Sequence, residues 1–227
     1  MATPHFTPGF FAFLRDLKRH NDRAWFAAHK DRYVADVEAP MLRFIADVGA
    51  RLPSVARGYV ADPRRSGGSM TRIYRDTRFA ADKSPYKTWV AAHFRHRAAG
   101  KGLTGPGFYF HLGPAERWAG GGIYHPEMPV LTRIRGRIAT DAKAWRAVRK
   151  MPLEIEGDRL TRAPAGFDPA HPFVEDLKHK DFYAGIELSE RDVTSPRFLD
   201  TYLDACRAVA PLVEFLAGAL GLAAARR

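Results

Sequence analysis

The middle third of the chain alternates between apolar and polar residues, and this pattern constrains the fold more than any other feature. Apolar side chains occupy every second position of the segments 90–94 and 108–112, and Ala91, His93, Tyr109 and His111 lie between them. The stretch 100–107 that separates these segments is rich in glycine and predicts a loop, not the long helical crossover that parallel strands require. The alternation therefore predicts an antiparallel β-meander.

Helical periodicity flanks the meander on both sides. Apolar residues recur at helical spacing from Phe10 to Leu17, after a capping Thr7 and a Pro8 suited to the first helical position. The longest apolar helix begins at Ser195–Pro196. We therefore predict a single α+β domain over 1–227, an antiparallel β-meander sheet flanked by N-terminal and C-terminal helices, with frayed ends at 1–5 and 222–227.

Composition excludes several classes of protein. Hydrophobic residues make up 46% of the chain, too many for a mostly disordered protein. The single cysteine, Cys206, excludes a disulfide framework and a cysteine-based zinc or iron–sulfur site. Because Cys206 lies on an apolar helix stripe, we expect a buried, unreactive thiol.

Charge and hydropathy bear on compartment and partners. The first residues do not resemble a signal peptide, and the most apolar stretch, 199–222, carries four charged residues, so we expect a cytoplasmic protein without a membrane partner. The net charge of +11 favours a nucleic-acid partner only weakly, because 27 of the 36 basic residues are arginines, as in proteins from GC-rich genomes, and they are spread along the chain.

The segment Arg72–Lys87 carries the strongest functional signal. It reads RIYRDTRFAADKSPYK and lies between two predicted strands, where binding sites usually occur. Arginine presents a planar fork that matches phosphate or carboxylate oxygens, whereas lysine is a mobile point charge. Asp76 and Asp82 would orient the cations or act as acid/base groups. The candidate ligand-binding residues of this segment are Arg72, Arg75, Arg78, Lys83, Tyr86 and Lys87.

Two further patterns have both a functional and a structural interpretation. The amides of Gly121 and Gly122 could hold an anion, with the Tyr124 hydroxyl nearby, although glycines at a strand end more often mark a bulge or a close backbone approach. A regular hairpin would place His93 opposite His111 and so begin a metal site, but paired strand histidines are more often surface polar residues. We therefore predict no metal, and the sequence identifies no cofactor.

Polar residues elsewhere have structural interpretations. Asn21 is a suitable N-cap for a second helix. Arg133, Arg135 and Arg137 are spaced by two on a predicted helix, so they fall on different faces and are interpreted as solvated surface.

The Arg72–Lys87 segment also resembles a widespread, mainly bacterial family of conserved hypothetical proteins, classed as a domain of unknown function. Further pieces of the resemblance follow at 21–26 with Tyr33, at 120–124, at 162–168 and at 171–172. The likeness runs from about Phe10 to beyond Leu188. It implies one domain and no assigned activity, and it supplies no catalytic residues.

These observations lead to three functional hypotheses. In the first, the protein binds a small anionic ligand bearing phosphate or carboxylate through the charged loop, and any enzymatic activity would belong to phosphoryl or nucleotide chemistry. In the second, it is a nucleic-acid-binding module that uses the same basic surface, with Tyr109 and Trp118 able to stack a base. In the third, the loop is a salt-bridge staple in a structural or protein-interaction domain, whose partner the sequence does not identify.

Overall fold

The computed structural model describes residues 3–100 and 105–222, which form a five-stranded antiparallel sheet and its flanking helices. The strands pair in the order in which they occur along the chain: β1 (Tyr59–Val60), β2 (Val90–His96), β3 (Gly107–Leu112), β4 (Arg117–Ile123) and β5 (Phe182–Glu187). The predicted α+β fold, an antiparallel meander with helices at both ends, is confirmed.

Helices precede and follow the meander. The N-terminal group comprises α1 (Pro8–Arg19), α2 (Arg23–Ala28), α3 (Lys30–Tyr33), a π-helical turn (Val34–Glu38), α4 (Ala39–Arg51) and a 3-10 turn (Leu52–Ser54). The later helices are α5 (Met128–Thr140), α6 (Ala142–Val148), α7 (Val174–Leu177), α8 (Glu190–Val193) and α9 (Phe198–Ala219). Pro8 occupies the first turn of α1, as its fixed φ allows.

The inner face of the sheet packs against α4 and α9. The Phe110 ring lies 5.1 Å from Phe44 of α4 and 5.3 Å from Tyr202 of α9, with the ring planes at steep angles. Phe94 also contacts Tyr202, at 5.9 Å. These rings are fully buried, so the apolar half of each alternating strand forms the core.

The opposite face of the sheet, here called the outer face, carries histidine, tyrosine and tryptophan side chains. The strand register places these residues in transverse rows, because directly opposed residues point to the same side. The row nearest the start of β2 contains Ala91, His111, Trp118 and Glu187. The second row contains His93, Tyr109, Gly120 and Gly185. The third row contains Arg95, Gly107, Gly122 and Tyr183.

The expected pairing of His93 with His111 is wrong. His93 lies opposite Tyr109, and His111 lies opposite Ala91, so the register differs by two residues from that of the assumed hairpin. The loop between β2 and β3 spans 97–106, and a loop of this length does not fix a register. Among the described residues, no three His, Cys, Asp or Glu side chains form a group that could hold a metal ion.

Other sequence expectations are also revised. Arg135, expected on the solvated surface, is only 3% exposed, and it donates to the His179 carbonyl at 2.9 Å. Of the ends expected to fray, residues 1–2 and 223–227 lie outside the described residues, whereas His5 lies 2.7 Å from Asp47 of α4 and packs on Phe44. None of the helices in the described parts of the chain is long and apolar enough to cross a membrane.

Candidate functional site

The Arg72–Lys87 loop extends the edge of β2 as a narrow ribbon. Next to the sheet, the Thr71 N–H donates to the Ala91 carbonyl at 2.8 Å. Farther out, the Lys87 N–H donates to the Ile73 carbonyl at 2.8 Å. The loop therefore projects past the end of the sheet at which β2 begins.

Tyr86 anchors this ribbon to the N-terminal helices. Its ring is buried and stacks on Phe26 of α2 at 4.1 Å. The Asn21 side chain donates to the Tyr86 carbonyl (2.9 Å) and accepts from the Tyr86 N–H (3.0 Å). Asn21 is therefore not the N-cap of α2 as expected; Asp22 is, because its carboxylate accepts from the Trp25 N–H at 2.8 Å. Tyr86 has a structural environment and is not part of an open anion site.

Two of the loop arginines are neutralised by carboxylates of the loop itself. The Arg75 guanidinium donates to Asp82 and to the Ser84 hydroxyl. The Arg78 guanidinium forms two bonds with Asp76, at 3.0 Å from Nε and 2.7 Å from Nη2. The tip of the loop, residues 75–84, therefore holds local ion pairs, and these two arginines do not surround an open anion site.

Neither carboxylate at the tip is prepared to act as an acid at neutral pH. The Ser84 N–H, together with Arg75 and the Ser84 hydroxyl, lowers the pKa of Asp82 to about 2. The pKa of Asp76 is lowered chiefly by Arg78, with a small contribution from Arg72. Both groups stay ionised and hold an arginine in place, so their geometry suits an orienting role better than proton transfer.

The remaining side chains of the tip also turn inward or away from a shared site. The Lys83 ammonium donates to the Thr77 carbonyl at 3.0 Å, which closes the tip on itself. Phe79, in contrast, is 95% exposed. It packs only loosely against the Arg78 guanidinium, whose Cζ lies 5.8 Å from the centroid of the Phe79 ring.

The base of the loop, formed by Arg72 and Lys87 at its two ends, differs from the tip. Within residues 3–100 and 105–222, Arg72 and Lys87 form no ion pair, in contrast to Arg75 and Arg78. Lys87 is half-buried, and its ammonium lies over the Trp89 ring at 4.9 Å. Burial, with the positive charge of Arg72 as a second cause, lowers the pKa of Lys87. Because the Lys87 N–H bonds the carbonyl of Ile73, the residue after Arg72, the two cationic residues are neighbours across the ribbon.

This base adjoins the outer face of the sheet. Trp89 lies 4.7 Å from His111, which is the cross-strand neighbour of Trp118. Burial lowers the pKa of His111, and it lowers the pKa of His93 to about 4. Both imidazoles are therefore neutral at pH 7 and can donate and accept hydrogen bonds without adding charge.

The glycine and tyrosine candidates lie at the other end of the sheet. Gly121 faces the core, where an added Cβ would come within 2.9 Å of Val213 on α9, so its close approach is to a helix. The amides of Gly121 and Gly122 belong to a strand that pairs on both sides, so they do not form an open cradle. Tyr124 follows β4 there, so the structure does not bring these residues together with the loop.

Tyr124 instead lines an acidic cleft of about 310 Å³. Glu156, Asp158 and the buried Asp181 contribute carboxylates to its wall. Asp181 accepts from the backbone N–H of His125 at 2.7 Å and so holds the turn after β4 to the edge of β5. An anion would be repelled from this cleft, which separates Tyr124 further from the predicted anion site.

The sequence did not connect Trp89, or His111 beside it on the outer face, with the base of the loop. A signal was available for Trp89, because it lies two residues from Lys87 and continues the alternation of β2 toward the loop. The neighbours on β3 could not be assigned, since their positions depend on the register of the β2–β3 hairpin.

Comparison with known proteins gives a family match. A family model described as "Conserved hypothetical protein (DUF2461)" matches residues 9–215, which is most of the chain. No curated protein and no solved structure matches. The match confirms the resemblance to a family of conserved hypothetical proteins.

Proposed function

The chain belongs to the DUF2461 family of conserved hypothetical proteins, a family of unknown function, and we propose that it binds a small phosphate- or carboxylate-bearing ligand at the base of the charged loop. Arg72 and Lys87 supply the charge. Of the loop cations first considered, these two are the ones that ion pairs and carbonyls within the loop leave available. The observation that carries the proposal is that these two residues are neighbours across the ribbon and form no ion pair within residues 3–100 and 105–222.

An anion should interact more strongly with Lys87 than with a fully hydrated lysine, because the surroundings of Lys87 are less polar than bulk water. Its ammonium is half-buried against Trp89, so part of its hydration shell is already replaced by the ring. An anion placed between Lys87 and Arg72 would relieve the repulsion between them and would interact with both in a medium less polar than water. The guanidinium provides paired donors, and the ammonium provides a point charge.

The tip of the loop supports a different role. Its ion pairs, Arg75 with Asp82 and Arg78 with Asp76, are the contacts expected of a salt-bridge staple that keeps the loop in shape. We propose that the tip fixes the conformation of the ribbon while the base binds the ligand. Exposed ion pairs contribute at most about 1 kcal/mol each, so loss of one should loosen the tip without unfolding the protein.

A pair of double variants tests the proposal. R72A/K87M removes both available cations and keeps an aliphatic stem over Trp89. R78A/K83M removes two cations from the same loop and is the matched control for net charge. Calorimetric titration with inorganic phosphate and with citrate, at constant ionic strength, should show binding to the wild type and to R78A/K83M. We expect R72A/K87M to bind at least about tenfold more weakly, a loss of roughly 1.4 kcal/mol.

Two results would contradict the proposal. The first is that neither phosphate nor citrate binds the wild type. The second is that both double variants lose affinity equally, which would assign the effect to net charge and favour the nucleic-acid hypothesis, for which binding should fall steeply with salt.

A further inference from the structure

Trp118 lies flat on two glycines of the outer face. Gly120 and Gly185 are cross-strand partners on β4 and β5. A Cβ added at Gly120 would come within 2.7 Å of the Trp118 ring at Cη2, and one at Gly185 would overlap the ring at Cζ2. The indole therefore rests directly on the backbone of both strands. The residue is only half-buried, so part of the indole is open to solvent.

Two tyrosines flank this indole and stand at an angle to it. The Tyr109 ring lies 6.2 Å from Trp118 with an interplanar angle of 47°, and the Tyr183 ring lies 5.9 Å away at 79°. The three rings form a slot in which the indole is the floor and the tyrosines are the walls. Burial raises the pKa of Tyr109 to about 12 and also raises that of Tyr183, so both phenols keep a proton to donate.

The slot is continuous with the base of the charged loop. His111 is the cross-strand neighbour of Trp118, Trp89 lies 4.7 Å from His111, and the Lys87 ammonium lies 4.9 Å above Trp89. Together these steps span roughly 15 Å, since directly opposed residues on neighbouring strands are about 5 Å apart. A ligand with a planar group in the slot therefore reaches Lys87 only if its anionic group is carried on an extended chain.

The far side of the slot is acidic. Glu187 is the cross-strand neighbour of Trp118 on β5, and Glu156 pairs with Tyr183 at the sheet edge. The negative charge of Glu187 is a second cause, after burial, of the raised pKa of Glu156. Carboxylates accept hydrogen bonds from ring amino groups but repel phosphates, so a long polyanion could not continue past Trp118.

We propose that the ligand of this face is a nucleoside triphosphate, with its base on Trp118 between Tyr109 and Tyr183 and its triphosphate chain extended toward Lys87 and Arg72. The inference rests on the proposed function and adds the class of ligand. A base supplies a π-face for the indole and N–H donors for Glu187, whereas the cations bind the phosphates. The acidic side favours a single nucleotide over a single-stranded nucleic acid.

Binding measurements with ATP, AMP, adenosine and inorganic phosphate test the inference. We expect ATP to bind more tightly than AMP, adenosine or phosphate, because only its chain is long enough to occupy both parts of the site. Trp118→Ala should weaken ATP binding by about five- to 150-fold, the loss that one stacking contact represents, and should leave phosphate binding within about twofold. Trp118→Tyr should retain most of the ATP affinity. Phe79→Ala, which removes an exposed ring at the loop tip, is the control and should change neither.

A second measurement does not depend on any variant folding. Saturation-transfer NMR on the wild type should give the strongest signals at the base protons of ATP, since the base lies against the rings. Equal affinity for ATP and phosphate, or saturation confined to the ribose, would overturn the nucleotide assignment and leave the anion site intact. Tight binding of a ten-residue oligothymidylate without saturable ATP binding would overturn it in favour of single-stranded nucleic acid. If phosphate also fails to bind, the proposed function itself is wrong.

Discussion

The Asn21 side chain joins the turn between α1 and α2 to the charged loop by hydrogen bonds to the backbone of one residue, Tyr86. It bonds both the N–H and the carbonyl of Tyr86, which occupy the interior side of the ribbon. In N21A both groups lose their partner, so we expect the free energy of unfolding to fall by about 1–3 kcal/mol. Urea denaturation measures this directly.

Asp22→Ala is the appropriate comparison for Asn21→Ala. It removes the N-cap of α2, which should cost about 1 kcal/mol, without touching the ribbon. Phosphate binding distinguishes the two variants further, because only N21A should weaken it by loosening the segment that carries Lys87. An N21A protein with unchanged stability and unchanged binding would show that the two bonds do not hold the loop.

At the scale of single residues, local sequence rules did not predict the hydrogen-bond partners of polar side chains. The polarity of Asn21 made it a reasonable N-cap, yet the adjacent Asp22 takes that role and leaves Asn21 free for a contact 65 positions away. Arg135 is likewise buried because α5 turns it toward the His179 carbonyl. Such contacts depend on the packing of whole elements, which the spacing of charges along one helix does not reveal.

Helix α9 packs directly on β4 at Gly121, and this contact supports a prediction about the two layers. A methyl group there would lie 2.9 Å from Val213 and 2.7 Å from the Gly107 carbonyl. Because the layers cannot separate locally, G121A should destabilise the protein by about 1–3 kcal/mol. Gly136 in α5 has no neighbour near its added Cβ, so G136A should stabilise the protein by about 0.5–1 kcal/mol. Thermal unfolding of both variants checks the opposite signs.

The strands were predictable as elements, but their alignment was not. Alternation identified β2 and β3 because one face of each had to be apolar. The same alternation places Gly121 on the inner face with Ala119 and Ile123, so its approach to a helix follows once β4 is assigned. The loop 97–106, in contrast, allows more than one register, and a shift of two residues keeps every side chain on its face.

The molecule as a whole should lose stability in mild acid because it buries neutral histidines. Burial lowers the pKa of His179 and of His93 to about 4 in the folded state, below the ordinary value of 6.5. Above pH 6.5 both states carry neutral imidazoles, so these groups add no pH dependence. Between about pH 6.5 and 4 only the unfolded chain takes up the protons, and the free energy of unfolding should fall by about 1 kcal/mol per pH unit for each histidine.

Denaturation at a series of pH values tests this slope. H93Q and H179Q should each reduce the dependence between pH 6.5 and 4, whereas substitution of the exposed His20 should not. A slope that stays the same in both variants would show that carboxylates, not these two histidines, control the loss of stability in acid.

At the same scale, the sequence marked Arg72–Lys87 as the candidate region but did not reveal which of its cations form ion pairs. The density of charge in Arg72–Lys87 marked the loop, and its position between strands placed it beside the sheet. Which cations remain available depends on distances within the folded loop, where Asp76 and Asp82 reach Arg78 and Arg75 but do not neutralise Lys87. The sequence also does not show that Gly122 and Tyr124 lie away from the loop, because chain separation does not reveal which end of an antiparallel sheet a strand terminus occupies.

An anomalous-scattering crystal structure grown with tungstate, a heavy analogue of phosphate, tests the central claim most directly. The account predicts an anomalous peak within hydrogen-bond distance of both the Arg72 guanidinium and the Lys87 ammonium, beside Trp89, and no peak of comparable height at Arg75 or Arg78. A map with its only peaks at the loop tip, or with no tungstate near Lys87 at saturating concentration, would contradict it.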